Sequence, residues 1–153
     1  MKSILHKGID EMKRLLSFPI LVLLLYGCSS CIKIEANEST FLIGLRNHCD
    51  CEIYKVHHEY YIGEKPAGGG YACNADGSAI PSGDVMLKDF IPADFPEGAN
   101  LAEFRIEVFV VDGAGKEYPC GKPLILNAAY GNEYEIIITG NYESGFGAAW
   151  SES

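Results

Sequence analysis

The stretch that decides the fold is residues 103–111, which read EFRIEVFVV and are followed by Asp-Gly-Ala-Gly at 112–115. Its side chains alternate with the period of two that is typical of a β-strand. One face is wholly apolar and carries Phe104, Ile106, Val108 and Val110. Because Asp and Gly tolerate the left-handed dihedrals of tight turns, 112–115 predicts a hairpin that returns the chain through 116–120. The segment therefore predicts two antiparallel strands with one buried face.

Other short segments with the same alternation lie on both sides of this hairpin. They cover residues 41–45, 53–62, 84–91 and 133–139. Clusters of Gly, Pro, Asn and Asp separate them, and no window after residue 39 has the period of an amphipathic helix. This spacing predicts an all-β fold, an antiparallel β-sandwich of about seven strands over residues 40–153. A small closed β-barrel is the alternative.

One short region resembles modules of bacterial surface proteins. Residues 95–98 (FPEG) precede a strand that ends at Val111 and Asp112, and Gly115 follows in the turn. This order resembles the F-to-G region of immunoglobulin-like or transthyretin-like modules over about twenty residues. The resemblance implies the same sandwich architecture.

The N-terminal segment has the pattern of an export signal. Residues 15–26 form an apolar run of about a dozen positions, too short for a membrane-spanning helix, which needs about 20 residues. Lys13 and Arg14 supply the positive flank that precedes such a run in a signal peptide. We therefore expect residues 1–27 to be a signal peptide, with Met12 as a second candidate for the start of translation.

The end of this segment resembles the lipobox of bacterial lipoproteins. Leu25 and Gly27 stand three residues and one residue before Cys28. The resemblance implies cleavage before Cys28, a thioether-linked diacylglycerol on its sulfur and an amide-linked acyl chain on its amino group. Since two or more acyl chains give stable attachment, we expect an exported lipoprotein of the cell envelope. Cys28 would anchor it to the outer membrane or the cell surface, and residues 28–39 would be the lipidated tether.

The charge of the exported part excludes one class of partner. The whole chain carries a formal charge of −9. Without residues 1–27, 8 Lys and Arg stand against 19 Asp and Glu, a formal charge near −11 over 126 residues. Such a domain repels phosphate backbones and favours cations or basic partners. We expect no nucleic-acid binding; the expected partners are the membrane, through the anchor, and an envelope protein or surface ligand.

The cysteines are candidates for disulfide bonds, which an exported compartment permits. With Cys28 lipidated and Cys31 left over near the membrane, four remain: Cys49, Cys51, Cys73 and Cys120. On an extended strand Cys49 and Cys51 would point the same way, so a bridge between them would be strained. Two pairings stay open, 49–73 with 51–120 or 49–120 with 51–73. Each bridge would stabilise the domain by about 3 to 4 kcal/mol.

The same region is also a candidate metal site. His48, Cys49 and Cys51 lie close in sequence to His57 and His58, and thiolates and imidazoles suit zinc or copper. Adjacent strand residues point to opposite faces, so only His57 could join Cys49 and Cys51. A periplasmic metal-binding protein is therefore the alternative function. The spacing matches no familiar zinc motif, and we expect no cofactor besides the acyl chains on Cys28.

Residues 63–83 read as a long glycine-rich loop. Its Gly68-Gly69-Gly70 run lacks the Lys-Ser/Thr pair of a phosphate-binding loop, and the acidic ligands of a calcium loop are missing. If Cys73 pins this loop to the sandwich, Tyr71 is a candidate contact for a partner.

No catalytic motif stands out in the sequence. There is no Gly-x-Ser-x-Gly nucleophile elbow, and no pair of carboxylates is singled out by its spacing. We therefore expect a non-catalytic binding or structural module that acts through exposed loops or a sheet edge.

Overall fold

The computed structural model describes residues 37–151, and these form nine β-strands and two single-turn 3-10 helices. The strands are β1 (Phe41–Cys49), β2 (Lys55–Ile62), β3 (Lys65–Cys73), β4 (Val85–Phe90), β5 (Phe104–Val111), β6 (Glu117–Pro119), β7 (Leu124–Leu126), β8 (Glu133–Asn141) and β9 (Gly145–Trp150). The 3-10 helices are Pro92–Asp94 and Leu101–Glu103. None of the helices in this part of the chain is long or apolar enough to cross a membrane.

The strands form two sheets, and the predicted all-β sandwich is confirmed. The first sheet has the order β4-β1-β8-β9, and the second has the order β3-β2-β5-β6, with β7 also paired to β5. No strand pairing joins the two sheets within residues 37–151, so they do not close into the alternative barrel. All pairs are antiparallel except β1 with β8, which run parallel. Strands from distant parts of the chain meet there, a pairing that no local turn signal reveals.

The core lies between the sheets and is built on the alternation that the sequence shows. Val111 at the end of β5 is buried, and so are all four residues of its apolar face, Phe104, Ile106, Val108 and Val110. They meet a cluster of aromatic rings in which Phe41 stacks on Phe90 at 4.7 Å between centroids and meets Phe104 edge-on at 5.5 Å. Aromatic rings of this size supply much of the apolar burial in so small a domain.

The predicted hairpin at 112–115 is confirmed. The Asp112 carboxylate accepts hydrogen bonds from the amides of Ala114 and Lys116, both at 2.9 Å. These amide donors, that of Lys116 first, lower the pKa of Asp112. Gly115 has a φ of +83°, which a residue with a side chain rarely adopts. The turn therefore requires both residue types that the sequence places there.

The expectation of a loop over residues 63–83 is wrong in its first half, because residues Lys65–Cys73 form β3. A two-residue turn, in which Gly63 has a φ of +59°, connects Ile62 directly to Lys65. The sequence gives no signal for this strand, because its glycines do not show the alternation of apolar and polar side chains. Gly68 and Gly69 are required on steric grounds. A Cβ on Gly68 would overlap the Tyr60 ring and hydroxyl, and one on Gly69 would lie 2.7 Å from the His58 carbonyl oxygen.

Candidate functional site

The outer face of the second sheet carries a cluster of side chains around Tyr71. We define the Tyr71 patch as Tyr71 on β3, His57 on β2, Phe109 on β5 and Glu117 on β6. Strand register brings three of them into line, since His57 pairs with Tyr71 on one side and with Phe109 on the other. Their neighbours along the strands, such as His58 and Val108, point into the core. The patch is therefore a consequence of strand alternation and register.

The three rings of the patch stack across the strands. The centroids of His57 and Tyr71 are 4.5 Å apart with an interplanar angle of 18°, and those of His57 and Phe109 are 5.3 Å apart at 27°. Stacking at these distances adds about 0.5–1.5 kcal/mol per pair beyond burial. The rings therefore hold one another in fixed orientations.

The Glu117 carboxylate contacts both polar side chains of the patch, Tyr71 and His57. The Tyr71 hydroxyl donates to Glu117 Oε1 at 2.9 Å, and His57 Nδ1 lies 3.3 Å from Glu117 Oε2. The hydrogen bond to Glu117 raises the pKa of the Tyr71 hydroxyl above its ordinary value. Tyr71 is nevertheless 58% exposed, the second-highest exposure among the large hydrophobic residues of the described chain. It is an anchored aromatic side chain that still faces solvent.

The same face continues into a second group of charged and aromatic side chains. The Tyr61 hydroxyl donates to Glu59 at 2.7 Å, and the Arg105 guanidinium lies 4.3 Å from the centroid of the Tyr61 ring. Arg105 also lies 3.5 Å from Glu64 and 3.8 Å from Glu107. Carboxylates outnumber cations in this group, as they do in the whole chain. The face is thus acidic and aromatic.

The sequence points to Tyr71, but not to its partners in the patch. His57 is a candidate metal ligand in the sequence, and in the structure it is the central ring of a stack. The sequence does not single out Phe109 or Glu117 as site residues. The alternation along residues 103–111 places Phe109 on the outer face of the sheet, and this is the one sequence signal for its position in the patch. The register that aligns the four strands cannot be predicted from the sequence of any one of them.

The four cysteines of the described chain are free thiols in the structure. Cys49 and Cys120 lie in the core, whereas Cys51 is half-buried and Cys73 is exposed at the end of β3. Cys49 and Cys51 do not share the extended strand that the sequence predicts. Strand β1 ends at Cys49, and the next two residues, Asp50 and Cys51, form a bend. The predicted disulfide pairing stays a prediction, which peptide mapping after alkylation without reduction would test.

Burial keeps the two core thiols neutral. Together with smaller contributions from Cys51, Cys120 and Asp50, it raises the pKa of Cys49 to about 12. It also raises the pKa of Cys120 to about 11. Thiolates, not thiols, are the nucleophiles and metal ligands of proteins. In the reduced state these residues pack as apolar groups.

The three proposed metal ligands do not meet. Cys49 faces the core, whereas the His57 ring lies on the outer face of the second sheet beside Glu117. Within residues 37–151 no group of three or more His, Cys, Asp or Glu side chains is placed to hold a metal ion. The geometry therefore gives no support to the metal-binding alternative.

The predicted signal peptide at 1–27, the lipidation site Cys28 and residue Cys31 lie outside the described residues. The same holds for most of the tether at 28–39, of which the structure describes only residues 37–39.

Comparison with known proteins gives only distant structural likenesses. No protein-family model and no curated protein matches the chain. A protein from Eubacterium rectale, solved by NMR, is similar at 11% identity over 76% of this chain and 92% of its own, with a TM-score of 0.41. A Bacteroides fragilis protein described as a cell adhesion protein is similar at 13% identity over 77% of this chain and 46% of its own, with a TM-score of 0.37. Likenesses this distant carry no functional argument.

Proposed function

We propose that this protein is a membrane-anchored lipoprotein of the cell envelope that acts as a non-catalytic binding module, with the Tyr71 patch as its contact surface. The lipobox around Cys28 supports the anchor, since its Leu and Gly stand where the peptidase of this class requires them. The domain that follows would then be held at the membrane by acyl chains and would not need to bind the bilayer itself.

The observation that carries the binding role is Tyr71, which is fixed by two contacts and yet exposed. A side chain held by a ring stack and a hydrogen bond loses little further conformational entropy when a partner covers it. Tyr is also among the residues that most often dominate the binding energy of interfaces. The expected partner is another envelope protein or a surface ligand, and the acidic surroundings favour one with basic groups.

Site-specific photocross-linking in living cells tests the contact surface. A benzoylphenylalanine replaces Tyr71 in one variant and Leu87 in a matched control. Leu87 is 53% exposed and lies on β4, in the other sheet. We expect a discrete adduct from position 71 and none from position 87. Equal adducts from both positions, or none from position 71, would remove the patch as the contact surface.

Labelling with radioactive palmitate tests the anchor. Cys28→Ala should abolish labelling and leave the protein unprocessed, whereas Cys31→Ala, a nearby cysteine with no place in the lipobox, should be labelled like the unaltered chain. Labelling that survives Cys28→Ala would refute the lipoprotein assignment and leave the binding role of the folded domain untouched.

A further inference from the structure

The edges of the two sheets differ in their protection against pairing with another chain. An exposed edge presents unpaired N–H and C=O groups, and proteins usually protect it with short strands, charged side chains, proline or a bulge. β6 and β7 have only three residues each. β9 packs against both of them, and the indole of Trp150 donates to the Ile125 carbonyl at 3.0 Å. These three strands therefore offer no long free edge.

β4 is an edge strand that carries a charge on its inner face. Lys88 lies on the same face of β4 as Met86 and Phe90, both of which pack in the core. Its ammonium group lies 4.9 Å from the centroid of the Phe90 ring. A charged residue that points inward is one of the devices by which natural proteins keep an edge strand from pairing. β4 is therefore protected.

β3 has no such protection over its second half. It is an edge strand of nine residues, and within residues 37–151 no strand pairs with its other side. Lys65, Pro66 and a register shift in the pairing with β2 protect its beginning. The rest of the strand, residues 68–73 (GGGYAC), has no charged side chain and no proline. We call residues 68–73 the β3 edge.

Backbone hydrogen bonds of β5 show which residues of β2 bond to β3. The Val111 carbonyl accepts from the amide of Tyr54, just before β2, at 3.0 Å, and the Val108 carbonyl accepts from the amide of Cys120, just after β6, at 2.9 Å. Val108 therefore directs its backbone groups away from β2. Because opposite residues of an antiparallel pair alternate between bonded and non-bonded, His58, which pairs with Val108, bonds to β3 instead.

The same alternation gives the direction of the backbone groups on the β3 edge. His58 pairs with Gly70, so Gly70 bonds to β2. The alternate residues Gly69, Tyr71 and Cys73 then direct their N–H and C=O groups to the free edge. Their positions are also those of the outer face, where Tyr71 meets His57. A strand that pairs with this edge would lie directly beside the Tyr71 patch.

Glu59 lies beside the β3 edge on the outer face. It pairs with Gly69 in the hairpin, so no side chain of β3 stands between its carboxylate and the free edge. The carboxylate accepts a hydrogen bond from the Tyr61 hydroxyl at 2.7 Å and lies 3.9 Å from Nε2 of His57. No Lys or Arg of the described chain forms an ion pair with it. Glu59 is therefore available to a cation of a partner.

We propose that the β3 edge binds an extended segment of the envelope partner as an added β-strand, with a Lys or Arg of that segment opposite Gly69. Main-chain hydrogen bonds to Gly69, Tyr71 and Cys73 hold the segment. An added strand lies about 4.8 Å from β3, and a long basic side chain can lie across the glycine toward Glu59. A second copy of this chain suits the edge less well, since each copy carries a formal charge of −9. This mode of binding rests on the proposed function, because the added strand contacts Tyr71.

Proline at position 73 tests the main-chain hydrogen bonds in living cells. Benzoylphenylalanine at position 71 reports the contact, as in the test of the proposed function. Cys73→Pro removes an N–H that points to the free edge and leaves the bonds to β2 in place, and Cys73→Ala is the matched control that keeps the N–H. We expect the adduct to fall at least about tenfold with Cys73→Pro and to stay unchanged with Cys73→Ala. Urea unfolding of the two variants checks that they fold equally well.

Mapping of the cross-linked residues is a second measurement that leaves the backbone of β3 unaltered. Benzoylphenylalanine is placed at position 71 in one chain and at position 73 in another, and mass spectrometry locates the attachment sites on the partner. We expect both sites in one segment that lacks proline and contains a Lys or Arg. They should lie about two residues apart, because side chains on one face of a strand recur with that period.

A change at Glu59 tests the charge of the segment. Glu59→Gln should lower the adduct from position 71 about threefold, as expected for the loss of a partly exposed ion pair. Glu143→Gln is the matched control, at an exposed carboxylate in the turn between β8 and β9, and should leave the adduct unchanged.

Several results would overturn strand addition at β3: equal adducts with Cys73→Pro and Cys73→Ala, attachment sites in separate segments of the partner, or an adduct made of two copies of this chain. An unchanged adduct with Glu59→Gln would refute the basic residue opposite Gly69. With equal adducts or separate attachment sites, position 71 is still cross-linked and the proposed function stands. The absence of any adduct from position 71 would instead refute the proposed contact surface, and strand addition with it.

Discussion

Strands β2 and β3 form one hairpin, yet their sequences follow different rules. β2 alternates buried Val56, His58 and Tyr60 with residues on the outer face, as a half-buried strand should. β3 reads KPAGGGYAC and has no fully buried residue. The first strand is recognisable from its own pattern, and the second is not.

The difference shows that two glycines of β3 are required by β2. Gly68 pairs with Tyr60 and Gly70 pairs with His58 in the hairpin. The Tyr60 ring occupies the space of a side chain at position 68, and the His58 carbonyl oxygen lies where a Cβ at position 69 would come, whereas a Cβ at position 70 would be at ordinary contact distance. Glycine is costly in a strand on entropic grounds, and steric need outweighs that cost here. Substitutions along the hairpin can test this explanation position by position.

The largest expected effect comes from acid acting on His58 in β2. This residue is 4% exposed, and neither ring nitrogen has a hydrogen-bond partner. Burial, with smaller contributions from the charges of Lys88 and His57, lowers its pKa to about 4. The unfolded chain has the ordinary pKa of about 6.5 and takes up the proton first. Stability is therefore full above pH 6.5 and falls as the pH drops toward 4, by about 3 kcal/mol.

Urea unfolding at a series of pH values, followed by circular dichroism, measures this loss. His58→Phe should flatten the decline between pH 6.5 and 4, whereas His48→Gln, at an exposed histidine, should leave it as it is. An unaltered decline in His58→Phe would mean that other groups carry the acid sensitivity.

The next largest effect is expected at Gly68 in β3. A Cβ there would lie 2.5 Å from Cζ of Tyr60, so Gly68→Ala must displace a ring that is packed in the core. Overpacking of this kind costs about 1–3 kcal/mol, and we expect about 2 kcal/mol in urea unfolding. Adding Tyr60→Phe removes the hydroxyl that overlaps most and should restore part of the loss. A variant as stable as the unaltered chain would show that the Tyr60 ring moves aside freely.

A smaller effect of opposite sign is expected two residues further along β3. A Cβ on Gly70 would lie 3.5 Å from Cε1 and 3.7 Å from Nε2 of His58, which is ordinary van der Waals contact. Gly70→Ala should therefore leave the free energy of unfolding unchanged or raise it by up to about 1 kcal/mol, because it restricts the unfolded chain. A loss as large as that of Gly68→Ala would contradict the steric explanation for the glycine run.

Where the sequence carries a strand's own side-chain pattern, it predicts the fold well. Residues 103–111 and 133–139 correspond to β5 and β8, and the apolar face predicted for residues 103–111 is buried. β7 and β9 show no such pattern, because LIL is too short to alternate and four of the six residues of GFGAAW are Gly or Ala. The side-chain pattern of one segment does not show which of its residues are determined by contacts with a neighbouring strand.

The candidate site was predictable to a smaller extent. Tyr71 stands out as an exposed aromatic in a glycine-rich segment, but residues 57 and 117 are 60 positions apart in the chain and meet only through strand register. The parallel pairing of β1 with β8 is equally remote in sequence. Register between distant strands depends on the packing of the whole core, which no segment carries by itself.

The smallest effect on stability is expected at Tyr71, where β3 differs most from β2. His57, its neighbour on β2, is covered by rings on both sides, whereas Tyr71 is mostly exposed. Tyr71→Phe removes one exposed hydrogen bond and should lower the free energy of unfolding by about 0.5 kcal/mol at most. The change should still weaken capture of the partner identified by cross-linking, measured by co-purification from membranes, because it removes the exposed hydroxyl and one of the two contacts that fix the ring. A large loss of stability with unchanged capture would mean that Tyr71 serves the sheet and that the contact surface lies elsewhere.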